Sequence, residues 1–389
     1  MQLPAVQLLI DRLPSGPWIF GRQVEPAYGV EDGSLVEVID GAGRFAGHAL
    51  FNSASDIRLR MLHRGKRSAM DKPRQFLQRS LAESIRLRRK ILRIPEVSDA
   101  WRAVFAEGDD LPGLIIDHFA GTLVCEHHSL GFWKLREDIE WALGQLMPGS
   151  TIVHRMPQAA ARAEGTTAAL PEGDWPTVWI EEYGLKFPVE LGRGHKTGWF
   201  CDQRDNRQRV AALARDRIVL DLCCNRGGFA LHAAQAGARR VTAVDLDEVA
   251  LEGAQQAGAA NKIDVDWQHA DAFDVLRSVQ NAKSKPSLIV LDPHKLIRGQ
   301  GSMDEGRRKY SDLNTLALGA LAPGGLLATF SCSGALDLPG FLGIVFQSGR
   351  RAERGLRLLD VWGAAHDHPQ RPEFPRGAYL KGALCTVDA

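Results

Sequence analysis

The chain has 389 residues, of which 44% are hydrophobic and 24% charged, and its formal net charge is +1 at pH 7. The length allows two or three domains, and the composition is that of a globular protein, not of a disordered one. No apolar run reaches the roughly 20 residues of a membrane-spanning helix, and the six cysteines include no Cys-x-x-Cys motif. This argues against a membrane protein, a zinc knuckle and a dense disulfide framework. The amino-terminal apolar stretch is interrupted by Asp11 and does not resemble a secretory signal, so we expect a cytoplasmic protein.

Residues 1–72 are predicted to form a small β-rich domain. Short strands such as SLVEVID and RFAGHALF partly alternate apolar and polar residues, and an Asp40-Gly41 turn separates these two. Positive charge is concentrated where this domain ends, because residues 56–93 contain 13 Lys or Arg and only 3 Asp or Glu. A solvated helix face is one explanation, and binding to an RNA or DNA backbone is the other.

Residues 73–190 are predicted to form a central α+β domain. Pro73 opens a helical pattern with one apolar face, formed by Phe76, Leu77, Leu81, Ile85 and Leu92. Two strand-like segments, GLIIDHF and GTLVCEHH, and a helix near residues 132–145 follow. The segment VWIEEYGLKFPVEL, with Gly184 at its turn, then predicts a hairpin that leads into the last domain.

Residues 191–389 are predicted to form a doubly wound α/β domain. Five segments with strand character alternate with turns and helices: RIVLDL, RRVTAVD, VDWQH, SLIVLDP and GLLATFS. Alternation of strand and helix is typical of a parallel sheet with helices on both faces. The fold class is therefore α/β, with a Rossmann-like carboxy-terminal sheet.

Polar residues follow each of these five strands. They are Asp221 with Asn225, Gly227 and Gly228 after the first, then Asp245, Asp271, Asp292 and Cys332. Each one alone could be a helix cap or a tight turn. Ligands of open α/β sheets bind outside the carboxyl ends of the strands, so five such strand ends predict one shared site.

The residues at these strand ends favour a cationic ligand. A dinucleotide site would require Gly-x-Gly-x-x-Gly, whereas the first turn reads DLCCNRGGF and is surrounded by acids. S-adenosylmethionine offers a sulfonium, an ammonium group and ribose hydroxyls. Asp245, 24 positions after Asp221, is expected to accept from the ribose, and Asp271 is expected near the adenine. The sequence thus predicts a Rossmann-like methyltransferase.

Cys332 is the candidate nucleophile. Addition of a thiolate at carbon 6 of a pyrimidine makes carbon 5 able to accept a methyl group, after which a base must remove the carbon 5 proton. The alternative is that Cys332 is only a small apolar residue in a core.

Several motifs together resemble one family. They are GHKTGWFCDQRDNR at 194–207, LDP-x-K at 291–295, TFSCSG at 329–334, HDHP at 366–369 and GAYLKG at 377–382. This combination is similar to the bacterial 23S ribosomal RNA cytosine-5 methyltransferases of the large-subunit methyltransferase I type. WIFGRQV resembles the RNA-binding PUA domain of that family, and EGDDLPGLIID at 107–117 matches its central domain. The resemblance covers nearly the whole chain.

The resemblance implies a role for individual residues. Cys332 would be the nucleophile, and Asp292 would lie between the methyl donor and the target base. The residues expected to bind S-adenosylmethionine are Gln203, Arg204, Asp221, Asn225 to Gly228, Asp245, Asp271 and Asp292. Lys196 and Thr197 are expected either on the approach to the cofactor or in a structural role. The implied partner is 23S ribosomal RNA, and a homodimer is left open.

The chain departs from the family in two loops. The family has Asp-Pro-Pro-Lys-Phe where this chain has DPHKL at 292–296, and Phe-Ser-Tyr-Thr-Gly-Gly where it has LCCNRGG at 222–228. His294 is a candidate for the base that removes the proton, or else a solvent-facing loop residue. His366 and His368 have the spacing of metal ligands, but we expect them to form hydrogen bonds. Because the acceptor pocket is altered, uridine carbon 5, a guanine, or loss of catalysis with retained RNA binding stay as alternatives.

Overall fold

The computed structural model describes residues 3–167, 175, 177–191, 197–297 and 299–388. The chain divides into two compact units. The first consists of Met1–Val178, Glu190–Trp199 and Asp367–Gly377, and the second of Trp179–Val189, Phe200–His366 and Ala378–Ala389. The predicted boundaries at residues 72 and 190 stay predictions. None of the helices in the described part of the chain is long and apolar enough to cross a membrane.

The first unit begins with a five-stranded sheet, which confirms the predicted β-rich fold. Its strands are β1 (Ala5–Gln7), β2 (Trp18–Phe20), β3 (Leu35–Ile39), β4 (Phe45–Phe51) and β5 (Ile57–His63), in the order β1-β3-β4-β5-β2. Alternate residues such as Val36 and Val38 point into one core, as the twofold side-chain period of a strand requires.

The helix predicted from Pro73 is present as α1 (Pro73–Arg86), with the proline in its first turn. Leu77, Leu81 and Ile85 are buried, so the predicted apolar face is confirmed. The helix continues into a π-helical turn, Leu87–Ile91. Not all of the basic side chains in this turn are exposed to solvent. Arg88 is completely buried within this turn and donates two hydrogen bonds of 2.7 Å to the carboxylate of Asp109.

A second sheet in the first unit runs in the order β6-β7-β8-β9, with strands Ala100–Phe105, Leu114–Phe119, Thr122–His127 and Thr151–Arg155. Its helices are α2 (Leu130–Lys134), α3 (Arg136–Leu146) and α4 (Gln158–Ala163). The single helix expected near residues 132–145 is thus two helices. The backbone of Leu135 leaves the helical region at φ −86° and ψ 8°, which separates α2 from α3.

The predicted hairpin is formed by β10 (Thr177–Glu182) and β11 (Leu185–Glu190), and most of it belongs to the second unit. Tyr183 and Gly184 make the two-residue turn, and both have positive φ, at 49° and 78°. Two positive φ values are the requirement of a type I′ turn, whose twist matches that of the flanking strands. Gly184 therefore occupies the turn as predicted.

The main sheet of the second unit has seven strands. After α5 (Arg204–Ala211) the chain forms β12 (Ile218–Leu222), α6 (Gly228–Gln235), β13 (Arg240–Asp245), α7 (Glu248–Asn261), β14 (Asp266–His269), α8 (Ala272–Gln280), β15 (Leu288–Leu291), α9 (Met303–Ala320), β16 (Leu326–Ser331), α10 (Leu338–Arg351), β17 (Leu356–Trp362) and β18 (Lys381–Val387). The strand order is β14-β13-β12-β15-β16-β18-β17.

The five predicted strands, β12 to β16, are parallel neighbours, as expected of a doubly wound sheet. The sheet is not parallel throughout, however, because β18 is inserted between β16 and β17 and runs antiparallel to both. A parallel neighbour requires a crossover connection, which is usually a helix. The structure describes all residues between β17 and β18 and shows no α-helix among them, so β18 returns in the opposite direction.

Candidate active site

The polar strand ends meet where the winding of the second unit reverses. β12 lies between β13 and β15, so the order of the strands changes direction on either side of it. Asp221 belongs to β12 and Asp245 ends β13, while Asp292 directly follows β15 and Cys332 directly follows β16. Parallel strands bring these carboxyl ends to one edge, which is where doubly wound sheets bind ligands.

Four of the acids act electrostatically on one side chain of the turn after β12. The half-buried thiol of Cys223 has its pKa raised by burial and then by the charges of Asp245, Asp292, Asp221 and Asp271. The prediction of one shared site is consistent with this common influence on Cys223. A raised thiol pKa keeps Cys223 protonated at neutral pH, so this cysteine is a poor nucleophile.

Asp221 is the most deeply buried of these acids. Its Oδ2 accepts a hydrogen bond of 3.0 Å from the backbone N–H of Ala230, whereas its Oδ1 has no hydrogen-bond partner among the described residues. Burial, followed by the charge of Asp292, raises the pKa of Asp221 well above its usual range. The orphaned oxygen is a feature that a cationic or hydrogen-bonding ligand would satisfy.

The turn after β12 is held in an unusual conformation. Cys223, Asn225 and Gly227 have φ values of 60°, 49° and 73°, which is the left-handed region. The N–H of Asn225 donates to Oδ2 of Asp245 at 2.7 Å, which ties the turn to the end of β13. The structure therefore brings Asn225 and Asp245 together, as the sequence predicted.

The two glycines of this turn are required for packing. A Cβ atom on Gly227 would lie 2.5 Å from the indole of Trp267, and one on Gly228 would lie 2.5 Å from Nε of Arg207. A larger residue at either position would require the Trp267 or Arg207 side chain to shift. Contact of Gly227 and Gly228 with the cofactor stays a prediction.

Asp245 and Asp271 both bind backbone groups. The second oxygen of Asp245, Oδ1, accepts from the N–H of Asp247 at 2.9 Å. Oδ1 of Asp271 accepts from the N–H of Phe273 at 2.7 Å and caps α8. The alternative of a helix cap is therefore confirmed for Asp271, while both carboxylates remain half-exposed to a ligand.

Gln203 reaches the same acids from the segment before α5. Its Nε2 donates to Oδ2 of Asp292 at 2.9 Å, and its Oε1 accepts from Nδ2 of Asn206 at 2.7 Å. Asn206 thus fixes the orientation of the Gln203 amide, a role that no motif indicated. Arg204 is buried, with Nε 3.3 Å from Oδ1 of Asp205, and its contact with a cofactor stays a prediction.

Cys332 lies in a closely held segment, residues 331–333, which we name the Cys332 segment. The hydroxyl groups of Ser331 and Ser333 lie 2.9 and 3.0 Å from the hydroxyl of Tyr310. Nζ of Lys381, on β18, donates to the carbonyl oxygen of Ser333 at 2.7 Å. Cys332 itself is half-buried.

Sequence reasoning missed Tyr310 and Lys381 at this site. Tyr310 lies within α9, and Lys381 opens the otherwise apolar strand KGALCTV. Lys381 is part of the GAYLKG motif and stands at the start of a mostly apolar strand, but neither feature assigned it a role at the site.

The histidines occupy different environments. His294 is exposed on the loop after β15. Nδ1 of His366 is hydrogen-bonded to Asp205, and Nδ1 of His368 is 2.9 Å from Oδ1 of Asp367. Within the ranges that the structure describes, no three His, Cys, Asp or Glu side chains are grouped to hold a metal ion.

The last two candidates from the sequence, Lys196 and Thr197, precede α5 in the chain. The hydroxyl of Thr197 donates to the buried carboxylate of Asp117, which also forms a bidentate ion pair with Arg102. This is a structural role for Thr197. Lys196 lies outside the described residues.

Two family profiles match the chain. The profile of a PUA-like domain matches residues 15–64, and that of an S-adenosylmethionine-dependent methyltransferase matches residues 141–343. Over 95% of its length the chain is 35% identical to Ribosomal RNA large subunit methyltransferase I of Pseudoalteromonas atlantica, and 36% identical to the protein of that name from Aeromonas salmonicida. These matches cover 95% and 94% of the two relatives.

The chain belongs to this methyltransferase family. The PUA-like match falls on β2 to β5 and confirms the small domain predicted from the sequence. A solved structure from Streptococcus mutans, described as a SAM-dependent methyltransferase, shares the fold with a TM-score of 0.79. It is 20% identical, and the match covers 99% of this chain and 100% of that one.

The residues present fit the cofactor of the family, S-adenosylmethionine. Asp245, Asp271 and Asp292 bring carboxylates to the switch point beside the buried Asp221, which suits a ligand with a sulfonium and an ammonium group. The buried Oδ1 of Asp221, which has no hydrogen-bond partner among the described residues, can accept a hydrogen bond from the cofactor. When bound, the cofactor supplies the methyl group.

Proposed function

We propose that this protein methylates carbon 5 of a cytosine in 23S ribosomal RNA, with Cys332 as the nucleophile. The observation that carries the proposal is the position of Cys332 directly after β16, whose neighbour β15 leads into Asp292. The relatives named Ribosomal RNA large subunit methyltransferase I support ribosomal RNA as the substrate. The choice of cytosine rests on the resemblance in the TFSCSG and LDP-x-K motifs.

The chemistry requires a thiolate near the pyrimidine ring. The sulfur of Cys332 forms a bond to carbon 6, and the electron pair of the carbon 5–carbon 6 double bond becomes available at carbon 5. After carbon 5 has gained the methyl group, a base removes its proton. The electron pair of that C–H bond re-forms the double bond and expels the thiolate, so Cys332 is regenerated.

Asp292 and His294 are the groups that we assign to the acceptor side. Asp292 follows β15, and Gln203 holds its carboxylate by a hydrogen bond of 2.9 Å, which supports a fixed position between donor and base. His294 is two residues further and exposed, which leaves its ring accessible to a bound nucleotide. We propose His294 as the proton-accepting group.

The remaining candidates are assigned to the cofactor. The cationic and hydroxyl groups of S-adenosylmethionine would be held by Asp221, Asn225, Asp245 and Asp271. The influence of the three acids on the pKa of Cys223 and the hydrogen bond from Asn225 to Asp245 support a common site. Gln203 would act through Asp292. Part of the wall of the cofactor pocket would be formed by Arg204, Gly227 and Gly228.

The ribosomal RNA would bind in part through the basic segment at residues 56–93. Its excess of positive charge and its overlap with the PUA-like match support this assignment. A cytoplasmic location follows from an rRNA substrate. A homodimer stays a prediction, to be checked by sedimentation equilibrium.

The deciding experiment follows the fate of a labelled methyl group. Purified protein is incubated with methyl-labelled S-adenosylmethionine and unmodified large-subunit rRNA, and the labelled nucleoside is identified by mass spectrometry. We expect 5-methylcytidine from the wild type and none from Cys332→Ala. Cys223→Ala is the matched control, because Cys223 lies among the acids but is a poor nucleophile, and it should retain activity.

A second arm tests the covalent step directly. RNA that carries 5-fluorocytidine has no carbon 5 proton to remove, so the adduct should persist on the Cys332 peptide. Labelled 5-methyluridine or a methylguanine would instead identify one of the alternative acceptors. Binding of RNA without any methyl transfer would favour the non-catalytic alternative.

A further inference from the structure

A buried cation lies beside the proposed nucleophile. Lys381 is only 4% exposed although it carries an ammonium group. It opens β18 and is the cross-strand partner of Ser331, while its Nζ donates to the carbonyl oxygens of Ser333 and Tyr379, both at 2.7 Å. The side chain therefore extends along the whole Cys332 segment, from Ser331 to Ser333.

The hydrogen bonds of the Lys381 ammonium group go to neutral acceptors and not to a carboxylate. Nζ donates to two neutral carbonyl groups, and these bonds use two of its three N–H donors. Burial lowers the pKa of Lys381 to about 8, while a negative charge on Cys332 raises it, followed by that of Asp337. The effect is reciprocal, because a thiolate that favours the ammonium is itself favoured by it.

Other ionisable groups interact with Cys332 or with Lys381. Tyr310, on α9, has its pKa raised by burial and also by a charge on Cys332. Lys295, on the loop after β15, and Asp337, the cap of α10, act on Lys381 with opposite signs. Lys381 is the buried cation of this set, whereas Lys295 is exposed and screened by water.

We propose that Lys381 is a positioning residue that fixes the Cys332 segment through the Ser333 carbonyl and directs its remaining N–H toward Cys332 to hold it as the thiolate. The inference rests on the proposed role of Cys332 as the nucleophile. The ammonium acts twice, because it stabilises the thiolate before the attack on carbon 6 and again when the thiolate leaves. No proton needs to be transferred to or from Lys381.

The test measures the thiolate without any RNA. Iodoacetamide alkylates thiolates, so its rate at Cys332, followed on the tryptic peptide by mass spectrometry from pH 5.5 to 9.5, gives a midpoint for ionisation. We expect this midpoint to rise by about one to two pH units in Lys381→Met, because the nearby positive charge is lost. Lys381→Arg retains the charge and should restore a midpoint close to that of the wild type.

Two further variants separate charge from packing. Tyr310→Phe removes the hydroxyl that joins Ser331 and Ser333 but leaves the ammonium, so its midpoint should stay near the wild-type value. Lys381→Gln removes the charge but keeps a donor, so it serves where Lys381→Met does not fold, as checked by circular dichroism. An unchanged midpoint in the uncharged variants would overturn the proposal. So would a shift in Tyr310→Phe as large as that in Lys381→Met.

Failure of the Lys381 inference can be distinguished from failure of the proposed function. If Cys332→Ala still methylates RNA, the proposed nucleophile is wrong, whatever the alkylation midpoints are. If Cys332→Ala is inactive but the midpoint does not respond to the charge at residue 381, only the role of Lys381 fails.

Discussion

At the scale of single residues, Asp221 has the environment least suited to a charged carboxylate. It is fully buried, and one of its oxygens lacks a partner among the described residues. A raised carboxyl pKa means that folding favours the protonated form. Its contribution to stability is therefore complete below the unfolded pKa of about 3.9 and is lost as the pH rises through the raised folded value.

Asp221→Asn should consequently stabilise the ligand-free protein while weakening cofactor binding. Asparagine keeps an acceptor for the N–H of Ala230 and removes a charge beside Asp292. We expect the Tm at pH 8 to rise by roughly 2–4 °C, with the difference shrinking toward pH 4. Differential scanning fluorimetry at several pH values checks the first effect, and calorimetric titration with S-adenosylmethionine checks the second. A lower Tm at pH 8 would contradict the argument.

The sequence predicted the acids of this site but not the groups around Cys332. Asp221, Asp245 and Asp292 could be found because each stands at the end of an apolar run, which is a local signal. Lys381 lies 50 positions after Ser331, and only the antiparallel pairing of β16 and β18 brings the two together. No local pattern carries information about such a pairing.

At the scale of elements, α7 and α8 begin in the same way, and this provides a matched comparison. Oδ1 of Asp247 caps α7 through the N–H of Ala250, and Oδ1 of Asp271 caps α8 through the N–H of Phe273. Loss of either cap should cost about 1 kcal/mol of stability. Only Asp271 is also assigned to the adenine.

Asp271→Ala and Asp247→Ala should therefore lose similar amounts of stability but differ in cofactor affinity. We expect Asp271→Ala to weaken S-adenosylmethionine binding severalfold more than Asp247→Ala does, as measured by calorimetric titration beside urea unfolding. Equal affinities in the two variants would assign Asp271 to capping alone.

The π-helical turn after α1 offers a second comparison, between two consecutive arginines. Arg88 is buried and paired with Asp109, whereas Arg89 is exposed. Breaking a buried ion pair costs about 3–5 kcal/mol, because one charge is left without compensation. Arg88→Met should lower the urea midpoint of unfolding strongly, and Arg89→Met should leave it nearly unchanged. Similar midpoints for both variants would show that the Arg88 pair contributes little.

Sequence periodicity predicted α1 and the five parallel strands because each repeats a simple pattern over many residues. It did not predict that Arg88 turns inward, since three consecutive basic residues, Arg88 to Lys90, indicate a solvated face. It also did not predict the antiparallel β17 and β18. Their direction depends on which strand edge is left to pair with, and that is decided only when the whole sheet forms.

At the scale of the whole molecule, a nearly neutral chain carries a strongly basic segment. Arg79, Arg89 and Lys90 are exposed members of this segment, and the described residues form no ion pair with them. Contacts to phosphate release counterions, so they weaken steeply with salt. The net charge of +1 hides this property, because the acids elsewhere in the chain balance the segment.

Replacing these three residues by Gln should weaken RNA binding without changing the chemical step. If all three contact phosphates of a single strand, the slope of log K against log salt should become less steep by about 2. The KM for RNA should rise, while kcat and the affinity for S-adenosylmethionine stay constant. A control with the same loss of charge, Arg239, Arg308 and Arg350 replaced by Gln, removes exposed cations elsewhere in the chain. If the control variant changes the slope of log K against log salt by the same amount, RNA binding depends on the total charge of the protein. The basic segment would then be a solvated face and not an RNA-binding surface.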